Sequence, residues 1–211
     1  MRLGTTREVG YAFHVLPLFF ALLVTEPAPA AADSSVARDL VSEVNLARTD
    51  PRAYAAKLRA HRRLYVGHVL RQPGQIDIVT QEGVAAVDEA IAHLERQRPV
   101  PALDHDEALA AAALDHVSDQ GPKGALGHAS SDGRNFTHRF TRRGAAPYGG
   151  ENIAYGSPQS AEAVVLQLLV DDGVRDRGHR KNIFQTGYRR IGAACGTHAT
   201  YRYMCVTDFG Y

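Results

Sequence analysis

Three shortages narrow this sequence before any motif is considered. It carries no real excess of charge: 24 basic residues face 23 acidic ones, for a net charge of +1. That balance gives no electrostatic argument for nucleic acid or an anionic membrane as a partner. Cysteine is scarce, with two in 211 residues, and no C-x-x-C or H-E-x-x-H ligand signature occurs. Long apolar runs are missing after the first thirty-odd residues, so no later stretch approaches the roughly 20 apolar residues of a membrane span. Internal repeats and low-complexity tracts are also lacking. What remains is a chain long enough for one substantial domain with a proper core.

The N-terminus reads as a leader. Arg2 and Arg7 make a basic start, Val9 to Val24 is almost wholly apolar, and Ala28-Pro29-Ala30 and Ala30-Ala31-Ala32 are small-x-small cleavage patterns. A signal peptide over residues 1–32 and a mature domain over residues 33–211 are expected, hence a secreted or extracytoplasmic protein with no stable membrane span after cleavage. Export gives the cysteines meaning. Cys195 and Cys205 sit in two strand-like runs centred on Thr200. A hairpin turning there opposes the two sulfurs, and an oxidising compartment makes a disulfide of them.

Helical periodicity dominates the first half. Ser34 or Ser35 caps a helix carrying Val36, Leu40, Val41 and Val44, and Asp50-Pro51 opens the next, with Tyr54 and Leu58. His61 to Pro73 reads as a basic, aromatic surface loop. Further helices are expected over Glu82–Gln97, from Asp104 or Asp106 to Gly121-Pro122, over Arg134–Arg143, and from Ser157-Pro158 to Asp171-Asp172-Gly173. Glu151 to Tyr155 reads as a short strand. Early helices and late strands suggest an α+β domain with a small antiparallel sheet.

The chemistry gathers between His128 and Asn182. Gly127-His128-Ala129-Ser130, Gly149-Gly150-Glu151-Asn152 and Asp171-Asp172-Gly173 through Gly178-His179-Arg180-Lys181-Asn182 each set ionisable side chains beside glycines. Two imidazoles and at least two carboxylates are the raw material of a divalent-metal site or an acid–base site. His105 and His116, eleven residues apart on one helix, are three turns apart, too far to share a metal. The arginines of residues 134–143 read as exposed. Arg177, Arg180 and Lys181 could receive an anion or be salt-bridged.

These motifs, in this order and followed by a terminal hairpin, resemble the CAP superfamily. That is the group of cysteine-rich secretory, antigen-five and plant pathogenesis-related proteins, also called the SCP domain. Asn45-Leu46-Ala47-Arg48 and Asp104 to Ala113 are similar to its first helices. Gly-His-Arg-Lys-Asn looks like the bacterial branch. The resemblance implies an α+β fold, a three-layer α-β-α sandwich with a small antiparallel sheet and a central cleft. It implies that His128 and His179 take a divalent metal, that Glu151 is the acid of the Gly-Glu-Asn motif, and that Ser130 and Asn152 support the cleft. The family's second acid usually follows a tryptophan. This chain has none and offers Asp171 or Asp172, of which Asp172, beside the turn glycine, is preferred.

Two functions compete. The first is a non-catalytic extracellular binding domain whose cleft takes a divalent metal, zinc on ligand softness, and a small lipid-like amphiphile. The second is a metal-dependent, peptidase-like hydrolase with Glu151 as general base. A Ser130-based hydrolase ranks lower, because Ser130 lacks the G-x-S-x-G elbow.

Overall fold

The computed structural model describes residues 34–156 and 160–211. The leader and the Ser157-Pro158 helix start lie outside these residues. Two helices open the domain. α1 (Ser34–Thr49) buries Leu40, Val44 and Ala47, and α2 (Pro51–Arg62) buries Tyr54 and Leu58. Asp50 joins them. Its carboxylate accepts from Ala53 N at 2.9 Å, while Pro51 fills the first helical position, where no N–H is needed.

The stretch read as a surface loop is structured. It carries β1 (Tyr65–Val66) and β2 (Val69–Leu70), which with β3 (Ile78–Val79) form a three-stranded antiparallel sheet, order β1-β2-β3. Leu70 is buried. Strands of two residues leave almost no alternating pattern to read, which is why the sequence suggests a loop there. α3 (Val84–Arg96) follows, starting later than Glu82. Gly83 stands before it with φ 67°, and a Cβ there would lie 2.6 Å from the Gly67 carbonyl oxygen. That positive φ is not helical, so the helix begins only after Gly83, and the close Gly67 carbonyl leaves room there for glycine alone.

β4 (Asp104–His105) leads into α4 (Glu107–Gln120), which Asp106 caps by accepting from Leu109 N at 3.0 Å. α5 (Phe136–Arg143) is capped by Asn135, starts two residues later than Arg134, and ends at Gly144 with φ 89°. β5 (Gly149–Tyr155), α6 (Ala161–Val170) and α7 (Gly178–Phe184) precede the terminal hairpin of β6 (Arg190–His198) and β7 (Arg202–Gly210).

The main sheet runs β4-β6-β7-β5; β5–β7 and β6–β7 are antiparallel, and only the short β4 joins in parallel. Cys195 and Cys205 are register partners in β6–β7 and are joined by a disulfide. Helices cover both faces. α4 packs on β6 and β7 and α5 on β5, around Ala113, Val117, Ile153, Met204 and Val206. α1, α6 and α7 take the opposite face, backed by α2 and α3, around the largest apolar cluster. This is the three-layer α-β-α sandwich. Successive strand residues face opposite layers, so Glu151 joins the α4–α5 side with Ile153, while Asn152 joins the α6–α7 side with Ala154. Among the described residues no helix is long and apolar enough to cross a membrane.

Candidate functional site

The site forms where β5 lies at the rim of the main sheet, with both helical layers within reach. Gly149 opens that strand because backbone occupies the place of a side chain, and Gly150 follows where a side chain would have to displace its neighbours. A Cβ on Gly149 would sit 1.9 Å from the Phe209 carbonyl oxygen, and one on Gly150 would sit 2.4 Å from the Tyr188 hydroxyl. Glu151 follows, its side chain fully buried. One oxygen lies 2.8 Å from His128 Nδ1. The other accepts from Arg139 of α5. Arg139 also donates to Ser130 Oγ at 2.8 Å and to the His128 carbonyl at 3.2 Å. It thus ties the His128 loop to the strand. Burial alone pushes Glu151 up, but the hydrogen bond from His128 and the charges of Arg139 and His116 outweigh it. The carboxyl ends below its ordinary range, as an anion.

His179 comes from the other layer, on α7. Its acid is Asp171, the left-handed residue (φ 55°) that ends α6. Aspartate tolerates that conformation better than most residues. Asp171 Oδ1 lies 2.6 Å from His179 Nδ1, and Oδ2 accepts from His179 N at 2.9 Å. The preferred Asp172 does something else. Its two oxygens accept from the backbone N–H groups of Gln81 and Glu82, at 2.6 and 2.7 Å. It pins the loop before α3 and does not reach either histidine among its hydrogen bonds. Asn152 donates to the His179 carbonyl at 2.9 Å and accepts from Asn182 Nδ2 at 2.8 Å. It sets where α7 sits.

The two halves are alike: each imidazole gives its Nδ1 to a buried carboxylate. A proton on Nδ1 leaves the Nε2 lone pair to face outward, which is how histidines are held for metal ligation. His128 and His179 also line two cavities at once. One, about 640 Å³, is mainly apolar and is walled by Leu70, Ile78, Val79, Ile153, Leu166 and Val170 among others. The second, about 400 Å³, is polar and includes Glu151, Asp176, Lys181 and Asn182. Among the described residues, no group of three or more His, Cys, Asp or Glu side chains is gathered closely enough to hold a metal ion.

Arg177 and Arg180 are taken up by neighbours. Arg177 forks onto Glu82 at 2.6 and 2.7 Å, which holds the Glu82 carboxyl at about 2, and Arg180 forks onto Glu89 at 2.9 and 2.5 Å. Lys181 lies 3.8 Å from Asp176 and is largely exposed. His105 is exposed, whereas His116 is buried with Nε2 2.9 Å from the Gly127 carbonyl. Burial pushes His116 down, towards the neutral form.

Three residues of the site are missed by the sequence reading: Arg139, His116 and Asp208. Arg139 is buried, not exposed. It lies one turn from Phe136 and next to Phe140, so the face it presents was legible. Asp208 follows Met204 and Val206 at alternate positions of β7, on the parity that faces inward. The register sets it opposite Glu151.

The family model of the cysteine-rich secretory protein family, CAP, matches residues 41–209. Two solved structures are similar in part. An extracellular protein containing a SCP domain from Bacillus anthracis str. Ames is 20% identical, with a TM-score of 0.43 over 58% of this chain and 37% of that one. An outer surface protein from Borrelia burgdorferi is 17% identical, with a TM-score of 0.45 over 60% of this chain and 89% of that one. The first of these is thus far longer than the region it shares with this chain. Among curated proteins none matches.

Proposed function

Because the chain belongs to the cysteine-rich secretory protein (CAP) family, we propose that it is a secreted binding domain. Its cleft would hold a divalent cation between His128 and His179 and the apolar part of a small lipid-like molecule in the larger cavity. One observation carries this reading: the same two histidines line both the apolar and the polar cavity. A ligand with an apolar body and a polar head would meet matching chemistry on each side of that pair. Cavities of several hundred Å³ with mostly apolar walls and a few convergent polar groups are the usual form of small-molecule sites.

The donor set supports a cation in a specific way. Each histidine has its Nδ1 committed to a carboxylate, which leaves Nε2 for the ion. Two imidazoles favour zinc over magnesium. Structural zinc sites close with four protein ligands; two here would leave water in the other positions and make an exchangeable site. The bound ion would supply charge for a polar head to meet. The reading of a metal-dependent hydrolase is weaker, because both oxygens of Glu151 are already engaged by His128 and Arg139. The Ser130 hydroxyl is likewise occupied by Arg139. Neither offers a free base or nucleophile to the cleft. Secretion fits the leader-like N-terminus and the disulfide.

The test is a calorimetric zinc titration near neutral pH, beside the His128→Ala/His179→Ala double variant. In parallel, both proteins are titrated with N-phenyl-1-naphthylamine, whose fluorescence rises in apolar cavities. Zinc binding lost in the variant, with dye binding kept, is the expected result. Equal zinc binding in both proteins, or none in either, overturns the cation reading; no dye binding overturns the lipid-like ligand.

A further inference from the structure

β5 and β7 set two acids side by side. Glu151 and Asp208 are direct register partners in the antiparallel pair. Such partners point to the same face with Cβ atoms about 4.5–5.5 Å apart, within reach of one another for two carboxyl groups. Both are cut off from water, with Asp208 at 0% exposure.

Their surroundings differ sharply. Glu151 receives His128 on one oxygen and Arg139 on the other. Asp208 receives nothing: no donor reaches either of its oxygens. An ionised carboxylate presents about four lone-pair sites and accepts only. Burying it with none of them met is among the most expensive arrangements a protein can make. The neutral acid needs a single acceptor for its O–H, and Glu151 stands opposite. Two carboxylates sharing a site also cannot both ionise readily.

The charged groups around the pair are few. Glu151 faces Asp208 from β5, and Arg139 from α5. His116, on α4, stands near Glu151 and Arg139. Gly192, the register partner on β6, brings no charge. One fixed cation therefore serves two acids. We propose that Asp208 is a neutral carboxylic acid that donates its proton to Glu151. The two acids then share one negative charge, which lies on Glu151 and is balanced by Arg139. Burial first, and the Glu151 charge second, push Asp208 well above the usual carboxylate range, with Arg139 opposing.

Asp208 is on this argument a positioning residue. It never touches the cleft. It holds Glu151 from behind and leaves the anion facing His128. This assignment rests on the strand register and stands whether or not the cleft binds a metal.

The experiment compares the wild-type protein with Asp208→Asn, which keeps the shape and still offers an N–H to Glu151. Thermal midpoints are measured from pH 4 to pH 7. An acid whose folded pKa is raised contributes stability that is fully present below its unfolded pKa and lost as pH rises through the folded one. The midpoint of Asp208→Asn is therefore expected to gain on the wild type as pH rises. A variant that instead falls behind with rising pH would show an ionised Asp208 paired with Arg139 and would overturn the proposal. A constant difference would overturn it too, leaving a packing role. Difference infrared spectra in H₂O and D₂O at pH 7 give a second reading. A protonated-carboxyl band is expected in the wild type. Its absence overturns the proposal even if Asp208→Asn does not fold.

Discussion

Asp171 and His179 stand eight residues apart and are joined twice, through the ring Nδ1 and through the backbone N–H. The acid ends one helix and the histidine starts the next, so the turn between them is built around this pair. Replacing Asp171 by Asn should free the imidazole to rotate and lose its orienting charge. Zinc affinity is expected to fall by about 10- to 100-fold, the usual effect of losing such a partner. Asp172→Asn should leave zinc affinity unchanged, because Asp172 serves the backbone at Gln81 and Glu82. Calorimetry on the two variants separates these outcomes; a larger loss in Asp172→Asn would reverse the assignment.

Arg139 is the cation that lets Glu151 stay charged inside the domain. Arg139→Met would leave that carboxylate buried with His128 but no fixed cation beside it. A loss of about 3–5 kcal/mol is expected, the range for breaking a buried ion pair. Adding Glu151→Gln in the same chain should recover much of it, since no charge then needs a partner. Urea unfolding of both variants at pH 7 measures the difference. Equal stabilities for the single and double variants would mean that Arg139 acts through packing alone.

The histidines set a pH dependence of definite sign. Burial pushes His116, and also His61 and His93, below the ordinary value. A depressed folded pKa gives stability that is present above the unfolded value, near about 6.5, and lost as pH falls towards the folded one. The wild-type melting temperature should therefore drop between pH 7 and pH 5. In His116→Gln the slope should be shallower over that window. An identical slope would show that His116 titrates as it does in the unfolded chain.

The disulfide joins partners ten residues apart at the centre of the main sheet. Closing a loop of that size is worth about 2–4 kcal/mol. Cys195→Ala/Cys205→Ala should unfold at correspondingly lower urea. Under denaturing, non-reducing conditions the wild type should present no thiol to a reactive probe, and after reduction it should present both.

Much of this fold was legible because its signals are local. Apolar spacing along Val36 to Val44 and Val84 to Leu94, the cap at Asp50, the second of the two candidate caps Asp104 and Asp106, and the symmetric placement of Cys195 and Cys205 around Thr200 all survive in the structure. The mini-sheet was not legible. Two-residue strands are fixed by where the chain packs and by Asp172, a residue about ninety positions away. The site divides in the same way. His128, Glu151 and His179 sit in glycine-marked motifs. The choice between Asp171 and Asp172 depended on a left-handed turn that either residue could have adopted. Arg139 and Asp208 are set by helix face and strand register; the charge of Arg139 argued for the surface, and nothing local singled out Asp208.

The main sheet's topology also fixes an order of events. Among the described strands β5 pairs with β7 and with no strand earlier in the chain. Domains generally fold as units, and Glu151 is made well before the strand that seats it. Until residues 202–210 arrive, it has no neighbour across the sheet, and His128 has no fixed acid to lean on. The cleft therefore cannot take shape before that last strand is in place. Shortening the chain by its final strand should abolish the site before it removes the helices of the first half.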